Sequence, residues 1–546
     1  MRKINVELEF TQAGIGKSLY DDDGLDDNWS VDARYVRRPG YEKDPDVCCI
    51  PPLPDTKRLM RFFTVDTGIC DWETVSGMTK QEKYESISQM NHVMVPLGLH
   101  LDVAKALHNV VLSSYTGRQV MITDMDWDTP LSKKGLSGCV VSIRRQEAPR
   151  PEGFYIHGNS GMGKSVALGL ARRMYPRAVR VTAGDFSYSV IPIIFVTALC
   201  NQVSDVYRSI AAQIDEILDT GNYHENQVVN KNLTKAQGYI KTWIKLYHIG
   251  CIIIDEIQFL RSTSTSKGLE DLIGITAETG CGFGIIGNND SCKAVLENPR
   301  ILGRVGRNII NADIRTANTG KLFDRAMTTL WDYQWTDIFS PFSDEIKAYL
   351  LEESGGNISL LKAVLAKVQL MAVQEDLSEP VTVEKLKGYI GDMTVHMRDL
   401  LEKHTAEADR RFEEGILGIY SAADEEAKRC REESIDTLLS EWDAGEKKKA
   451  AERKKREVAK AVSTMQGCSY DKALIAVNAA IDGWPGLLDA PDSELARKAA
   501  ELLQPAKPRK RAPRKPTPGK AKSADEKRKL DAAAQELLSR AGGQAV

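Results

Sequence analysis

The most informative part of this chain is the segment Gly158-Asn159-Ser160-Gly161-Met162-Gly163-Lys164-Ser165. It fits the pattern G-x-x-x-x-G-K-[ST] and lies between two apolar runs, one at 154–156 that predicts a strand and one at 166–171 that predicts a helix. Glycines let a backbone approach phosphate closely, and successive N–H groups at a helix start attract anions. The segment therefore predicts a loop that holds the phosphates of a nucleoside triphosphate.

Particular roles follow for the side chains of this phosphate loop. We expect Lys164 to reach the β- and γ-phosphates and the Ser165 hydroxyl to ligate Mg²⁺, so ATP and Mg²⁺ are the predicted cofactors. A glycine-rich turn without a function is the alternative, and the flanking strand and helix make it much less favoured. The residues predicted to contact the nucleotide are Gly158, Asn159, Ser160, Gly161, Met162, Gly163, Lys164, Ser165 and Val166.

A second motif supports the same chemistry. The apolar run at 251–254 predicts a buried central strand, and it ends in the adjacent carboxylates Asp255 and Glu256, which a purely structural strand seldom carries. In phosphoryl transfer an Asp at this place holds the Mg²⁺ shell, and a following Glu can orient or deprotonate the attacking water. We therefore predict an ATPase in which Asp255 serves the metal and Glu256 serves the water.

The surrounding pattern alternates strands with helices, which predicts an α/β fold with a parallel sheet covered by helices. Strands are expected at about 178–182, 191–198 and 284–287, and helices at about 203–219, 234–247 and 268–279. Asn288 follows the last of these strands and is a candidate sensor of the γ-phosphate or of the attacking water, because ligand sites lie beyond the carboxyl ends of parallel strands. An ordinary Asn-rich turn is the alternative.

Shifts in composition suggest five regions. They are an N-terminal recruitment segment or small domain (1–90), an α/β nucleotide-binding core (91–318), a helical lid (319–400), a helical C-terminal region (401–505) and a basic tail (506–546). Between Lys507 and Lys529 there are eleven basic residues, interleaved with prolines, so this stretch is expected to be disordered. It could bind nucleic acid, dock on an acidic protein face, or serve only as a solubilising tail.

Composition sets wider limits. The chain has 546 residues, a net charge of −3 and 42% hydrophobic residues, enough for at least one large core. Ten cysteines are scattered without a C-x-x-C pair, which argues against zinc knuckles and a disulfide framework and favours reduced thiols. Because we find no run of 18 apolar residues, we expect a cytoplasmic protein without a membrane partner.

The Asp255-Glu256 pair, the polar strand tip and the helical segment that follows the sheet together resemble the AAA+ branch of the P-loop enzymes. This resemblance implies a ring or a helical oligomer, in which an Arg from the neighbouring subunit neutralises charge in the transition state. Arg304 and Arg307 lie where the family places this residue, and Arg300 is a weaker candidate. Many members also carry an Arg on the lid helix, where this chain has a Ser, so Lys362 one turn on is a candidate substitute.

Finer motifs resemble the TnsC, TniB and IstB group of transposon regulators. They are Asp44-Pro45, Ile50-Pro51-Pro52-Leu53, Pro96-Leu97-Gly98-Leu99-His100, Tyr115-Thr116-Gly117-Arg118, Ile254-Asp255-Glu256-Ile257-Gln258-Phe259-Leu260 and Leu330-Trp331-Asp332-Tyr333-Gln334-Trp335. The resemblance implies an ATP-dependent oligomer on double-stranded DNA, with transposase subunits and a target-selection protein of the TniQ or TnsD type as partners. It also places DNA-backbone contacts at Lys231, Thr234 and Lys235, for which a charged helix start capped by Thr234 is an equally weighted alternative.

The sequence therefore favours a regulator of transposition that oligomerises on target duplex DNA without sequence specificity. In a bacterial cell such a protein would be cytoplasmic and would associate with the nucleoid when bound to DNA. The other function that the sequence leaves open is a signalling or defence scaffold, whose assembly is gated by nucleotide and which does not bind DNA.

Overall fold

The computed structural model of the protein describes residues 2–3, 8–10, 30–65, 74–75, 77–123, 139–183, 186–198, 202–260, 265–291, 295, 298–305, 308–312, 320–377, 379–391 and 422–503. The chain divides into two compact units, Met1–Ile435 and Asp436–Val546, which are considered separately. The whole of the predicted basic tail (506–546) lies outside the described residues.

The described residues contain eleven strands and seventeen α-helices. The strands are β1 Arg2–Lys3, β2 Ser30–Asp32, β3 Arg118–Thr123, β4 Cys139–Arg144, β5 Gly153–His157, β6 Ala178–Ala183, β7 Phe186–Val190, β8 Ile193–Thr197, β9 Cys251–Asp255, β10 Gly282–Ile286 and β11 Ile309–Asn311. The helices are α1 Pro45–Cys48, α2 Thr56–Phe63, α3 Lys80–Ile87, α4 Gly98–Thr116, α5 Lys164–Arg172, α6 Val203–Leu218, α7 Tyr223–Val228, α8 Leu233–Leu246, α9 Thr265–Thr279, α10 Pro299–Val305, α11 Gly320–Trp331, α12 Asp344–Ser354, α13 Ile358–Gln374, α14 Val383–Ile390, α15 Ala422–Gln466, α16 Tyr470–Gly483 and α17 Asp492–Leu503.

A five-stranded sheet in the order β11-β5-β10-β9-β8 forms the centre of the first unit, and all of its strands are parallel. Its strands are continuous apolar runs because both faces are covered, and every residue of β5, β9 and β10 is buried. The helices α6, α8 and α9 pack their apolar residues into one cluster with this sheet. The predicted α/β fold with a parallel sheet covered by helices is confirmed.

One predicted strand lies outside this sheet. The apolar residues at 178–182 do form a strand, β6, but β6 pairs with β2 and with β7 in a separate three-stranded sheet. The strand β7 is absent from the sequence prediction, whose strand at 191–198 corresponds to β8. The pairing of β6 with β2 joins residues that are almost 150 positions apart, which a local pattern cannot reveal.

Residues from the predicted N-terminal segment pack on the core and on the lid. Asp46 in α1 is buried and accepts hydrogen bonds from the Tyr188 hydroxyl at 3.0 Å and from the His248 ring at 2.5 Å. Farther along, Ile87 and Met90 belong to the same apolar cluster as the lid helices α11, α12, α13 and α14. The predicted boundaries of the five regions stay predictions.

The second unit is built around the end of the long helix α15 and the helices α16 and α17. Val458 and Val462 of α15 are buried in one apolar cluster with Val477 of α16 and Leu495 of α17. Among the described residues of the whole chain, no helix has both the length and the apolar character needed to cross a membrane. The six cysteines whose side chains the structure describes are free thiols.

Candidate nucleotide site

The phosphate loop joins the end of β5 to the start of α5, as the motif requires. Gly158, Gly161 and Gly163 have φ angles of +146°, +83° and +85°, a region of backbone space that side chains disfavour. These three positions therefore need glycine for the loop to form. The loop leads into a helix N-terminus, where free N–H groups attract a phosphate.

Lys164 lies inside this loop and close to the two carboxylates. Its Nζ donates hydrogen bonds to the carbonyl oxygens of Gly158 at 2.9 Å and of Asn159 at 2.8 Å. Burial lowers the pKa of the ammonium to about 8, while the charges of Glu256 and Asp255 act in the opposite direction. The structure thus brings together the residues that the two motifs predict.

Asp255 and Glu256 occupy the carboxyl end of the central strand β9. The Asp255 side chain is buried, and its Oδ1 accepts the backbone N–H of Glu256 at 2.8 Å. Glu256 has a φ of +59°, which is unusual for a residue with a side chain and carries a strain cost of about 1–2 kcal/mol. Such strain often marks a functional site, because the surrounding structure must hold the residue in place.

Sequence reasoning missed a side chain that holds Glu256. The Gln258 amide donates a hydrogen bond to the Glu256 carboxylate, and its Oε1 accepts the backbone N–H of Asn288 at 3.2 Å. Because both ends of the amide are used, Gln258 ties the end of β9 to the end of β10. Gln258 was visible in the sequence only as part of the Asp-Glu-Ile-Gln motif.

Asn288 and Asn289, which follow strand β10, make different side-chain contacts. The Asn288 side chain accepts the backbone N–H of Ser291 at 3.2 Å, whereas the Asn289 amide donates to Oδ1 of Asn159 in the phosphate loop at 3.0 Å. Asn289 is therefore a further residue that sequence reasoning missed. The sensor role of Asn288 stays a prediction.

The first turn of the lid helix α13 contacts the phosphate loop. The Asn357 amide donates to the Ser160 carbonyl at 2.7 Å, and the Ser359 backbone N–H donates to the Gly161 carbonyl at 3.2 Å. Asn357 also caps the N-terminus of α13 through its side-chain oxygen, so one residue both begins the helix and holds the lid on the loop.

The predicted substitute for the lid arginine does not point to this loop. Lys362 donates instead to the carbonyl oxygens of Asn91 at 3.2 Å and of Val93 at 2.6 Å. These acceptors belong to the connection before α4, so the Lys362 ammonium connects the lid helix α13 to this segment. The lid reaches the phosphate loop through Asn357 and Ser359.

The residues predicted to hold Mg²⁺ fit such an ion. Ser165 and Val166 are exposed on the first turn of α5, and Asp255 offers a carboxylate at the adjoining strand end. Mg²⁺ commonly takes one or two protein oxygens and completes its shell with phosphate and water. The described residues contain no group of three His, Cys, Asp or Glu side chains suited to a metal, so phosphate oxygens would have to complete this site.

Arg304 lies in a different place, a cleft of about 1340 Å³ that is also lined by Arg144 and Arg150. Burial lowers the pKa of Arg304, and the positive charges of Arg150 and Arg144 lower it further. Among the described residues none of these three arginines forms an ion pair, whereas Arg300 in the same cleft pairs with Glu270 at 3.0 Å. Arg307, the second candidate for the arginine that acts on a neighbouring subunit, lies outside the described residues.

The cleft adjoins the amino end of β5, because Pro151 and Glu152 line it, whereas the phosphate loop follows the carboxyl end of the same strand. Arg304 therefore lines a cleft at the end of β5 that is opposite to the phosphate loop.

The three predicted DNA contacts lie together at the start of α8. Lys231, Thr234 and Lys235 are all exposed. The helix is capped by Asn232, whose side chain accepts the N–H of Lys235 at 2.9 Å, so the alternative that Thr234 is the cap is wrong. The contact of Lys231, Thr234 and Lys235 with DNA stays a prediction.

Comparison with known proteins agrees with this architecture. Residues 151–296 match the family described as AAA domain. The chain is similar to the Aeropyrum pernix Orc1 protein solved in complex with DNA, with 16% identity over 45% of this chain and 60% of that chain, at a TM-score of 0.31. This chain thus spans less than two thirds of that protein.

Two further solved structures are similar. Domain III of the Thermotoga maritima replication initiation protein DnaA is 14% identical over 44% of this chain and 84% of that chain, at a TM-score of 0.27. A DNA replication initiation factor is 13% identical over 64% of this chain and 76% of that chain, at a TM-score of 0.19. TM-scores this low support no inference about function, and no curated protein matches the chain.

The phosphate loop, the Asp-Glu strand end and the five-stranded parallel sheet, together with the AAA domain match at residues 151–296, define the class of this part of the chain. The chain contains an AAA+ P-loop nucleotide-binding domain followed by a helical region.

Proposed function

We propose that this protein is an ATPase that regulates transposition, assembling on duplex DNA and linking a target-selection protein to a transposase. The observation that carries the ATPase part is the placement of Glu256 and Asp255 beside the Lys164 ammonium at the mouth of the phosphate loop. Lys164 and the loop N–H groups would bind the triphosphate, Ser165 and Asp255 would hold Mg²⁺, and Glu256 would take a proton from the attacking water.

Mg²⁺, when bound, would neutralise phosphate charge during transfer of the terminal phosphoryl group. This chain's own residues orient the reaction. Gln258 holds the Glu256 carboxylate, and Asn289 connects the strand tip to Asn159 of the loop. The loop and the strand tip would therefore respond together to an occupied site.

Arg304 supports hydrolysis across a subunit boundary. It lines a cleft at the end of β5 opposite to its own phosphate loop, so it would act on a triphosphate held by a neighbouring subunit. Arg144 and Arg150 in the same cleft have no ion-pair partner among the described residues, so they too would favour an incoming anion. Hydrolysis would then proceed only in the assembled state.

The DNA part of the proposal is supported by the resemblance to transposon regulators and by the exposed cluster of Lys231, Thr234 and Lys235 at a helix start. Such groups contact phosphates without reading bases, so binding should be insensitive to sequence and sensitive to salt. The transposase and the target-selection protein enter through the same resemblance alone.

Binding to random duplex DNA tests the proposal when it is measured by fluorescence anisotropy with an ATP analogue, with ADP and without nucleotide. We expect the ATP analogue to give the tightest binding, and added salt to weaken it. Glu256→Gln should keep this binding while turnover falls by about 10²–10⁴, because the metal ligand remains and the base is lost. Absence of DNA binding in every nucleotide state would instead favour the nucleotide-gated scaffold.

A further inference from the structure

A row of basic side chains lies along the solvent side of α15 in the second unit. Between 447 and 460 the sequence has eight basic residues and only two acidic residues. Lys449, Arg453, Arg456 and Lys460 are spaced by four, three and four residues, so at 100° per residue they lie within an arc of about 60°. All four are exposed. We call these four residues the basic row.

The basic row is held in place by packing on the other side of the helix. Val458, Ala459 and Val462 are buried in the cluster with α16 and α17. Lys454 also donates to the Ala490 carbonyl and pairs with Asp492 at 3.4 Å, which fixes α15 against the following helices. The row therefore projects from a supported helix and cannot be covered by this cluster.

We propose that the basic row binds the phosphate backbone of duplex DNA, a contact separate from the exposed cluster at the start of α8. This inference rests on the proposed DNA-binding function and adds a second site to it. Four cations spaced along about 16 Å of helix match a ligand that presents a negative charge every 1.7 Å or so along its axis, in any register.

Alternative partners fit the row less well. A membrane-surface helix needs a free apolar face beside its cations, and the apolar face of α15 at this level is already buried against α16 and α17. Surface ion pairs with nearby glutamates are worth about 0–1 kcal/mol and are readily exchanged for phosphate contacts. An acidic protein face remains as an outcome that the experiment separates.

The test measures how the affinity of the full-length protein for random duplex DNA depends on salt. In the row variant, each of Lys449, Arg453, Arg456 and Lys460 is replaced by Gln. Each lost phosphate contact reduces the slope of log affinity against log salt by about 0.9, so the four changes should reduce it by about 3.6. Between 50 and 200 mM salt this corresponds to a change in the affinity ratio of about 150-fold.

Two matched variants control for charge and for folding. Replacing Lys447, Lys448, Lys472 and Arg497 by Gln removes four charges from the same unit but none from the row, so the slope should change by less than about 1. Exchanging Lys for Arg and Arg for Lys within the row keeps its charge and should keep the slope. Equal losses in the row variant and in the first control would overturn the inference, as would an unchanged slope in the row variant.

Lys164→Ala separates this inference from the proposed function. The variant should lose the part of DNA binding that depends on ATP and keep the part that depends on the row, because the row lies in another unit. If the unaltered protein does not bind DNA in any nucleotide state, both proposals fail. If the protein binds DNA and the row variant binds with the same slope, only the basic row is excluded, and its charges would then serve an acidic protein partner or solubility.

Discussion

The affinity for ATP should decrease as the pH rises above 8, because Lys164 must be protonated to bind phosphate. Burial lowers the pKa of the free enzyme's Lys164 to about 8. A bound triphosphate places negative charge beside the ammonium and raises this pKa. ATP therefore binds most tightly well below pH 8, where Lys164 is already protonated. Above pH 8, Lys164 must take up a proton when ATP binds, so the affinity for ATP decreases as the pH increases.

The size of the effect follows from the pKa. The apparent dissociation constant increases by a factor of one plus ten to the power of pH minus 8, so from pH 7 to pH 9 it should rise about tenfold. The second ionisation of a phosphate lies near pH 6 and adds little to this interval. Equilibrium binding of a fluorescent ATP analogue, with Mg²⁺ in excess and constant ionic strength, would measure it.

Lys164→Arg provides the matched control. An arginine stays charged throughout this range, so any residual ATP binding by the variant should not vary between pH 7 and pH 9. If the ATP affinity of the unaltered protein stays constant over the same interval, the reasoning is refuted. Such a result would mean that burial does not lower the pKa of the Lys164 ammonium. A decrease of the same size in the arginine variant would assign the effect to another group.

Three other substitutions probe the contacts around the site and the core. Gly161→Ala should weaken ATP binding at least tenfold, because the residue has a φ of +83° and an added Cβ would lie 2.7 Å from Oδ1 of Asn357, as equilibrium binding would show. Gln258→Ala should lower kcat about tenfold and leave KM for ATP unchanged, because the Glu256 carboxylate loses the donor that holds it in position. Asp46→Ala should lower the free energy of unfolding by about 3 kcal/mol in denaturant titrations, because two buried hydrogen bonds lose their acceptor.

Each of these substitutions has a control in the chain. Gly169→Ala meets no atom within 4 Å and should leave ATP affinity unchanged, so an equal loss there would contradict the role given to the loop glycine. Asp32→Ala removes only a surface ion pair with Arg180 and should change stability by less than about 0.5 kcal/mol. Gln237→Ala, which removes a bond to the Tyr207 hydroxyl, should keep kcat. Unaltered kcat in the Gln258 variant would exclude a positioning role.

The strands and helices around the phosphate loop could be predicted from the sequence because their signals are local. Buried parallel strands are apolar throughout, as at 251–254, and a glycine-rich loop before a helix has a fixed spacing. The helices at 203–218 and 233–246 likewise follow from apolar periodicity, and their predicted ends were within one residue of the observed ones. These parts of the fold depend on short stretches of chain.

Other parts of the fold and of the site depend on contacts between distant parts of the chain. Local periodicity does not show that Asp46 pairs with His248, 202 positions away. Nor does it show that β6 pairs with β2 in a sheet separate from the central one. The contact of Asn289 with Asn159 depends on the turn geometry after β10, which the sequence Asn288-Asn289 leaves open.

The most direct test of the account mixes two inactive variants. Glu256→Gln lacks the water-activating carboxylate, and Arg304→Ala lacks the arginine that we propose acts on a neighbouring subunit. In an equal mixture on duplex DNA, half of the sites keep Glu256 and half of their neighbours supply Arg304, so about a quarter of the ATPase activity should return. A mixture that forms oligomers but remains as inactive as the separate variants would contradict hydrolysis between subunits.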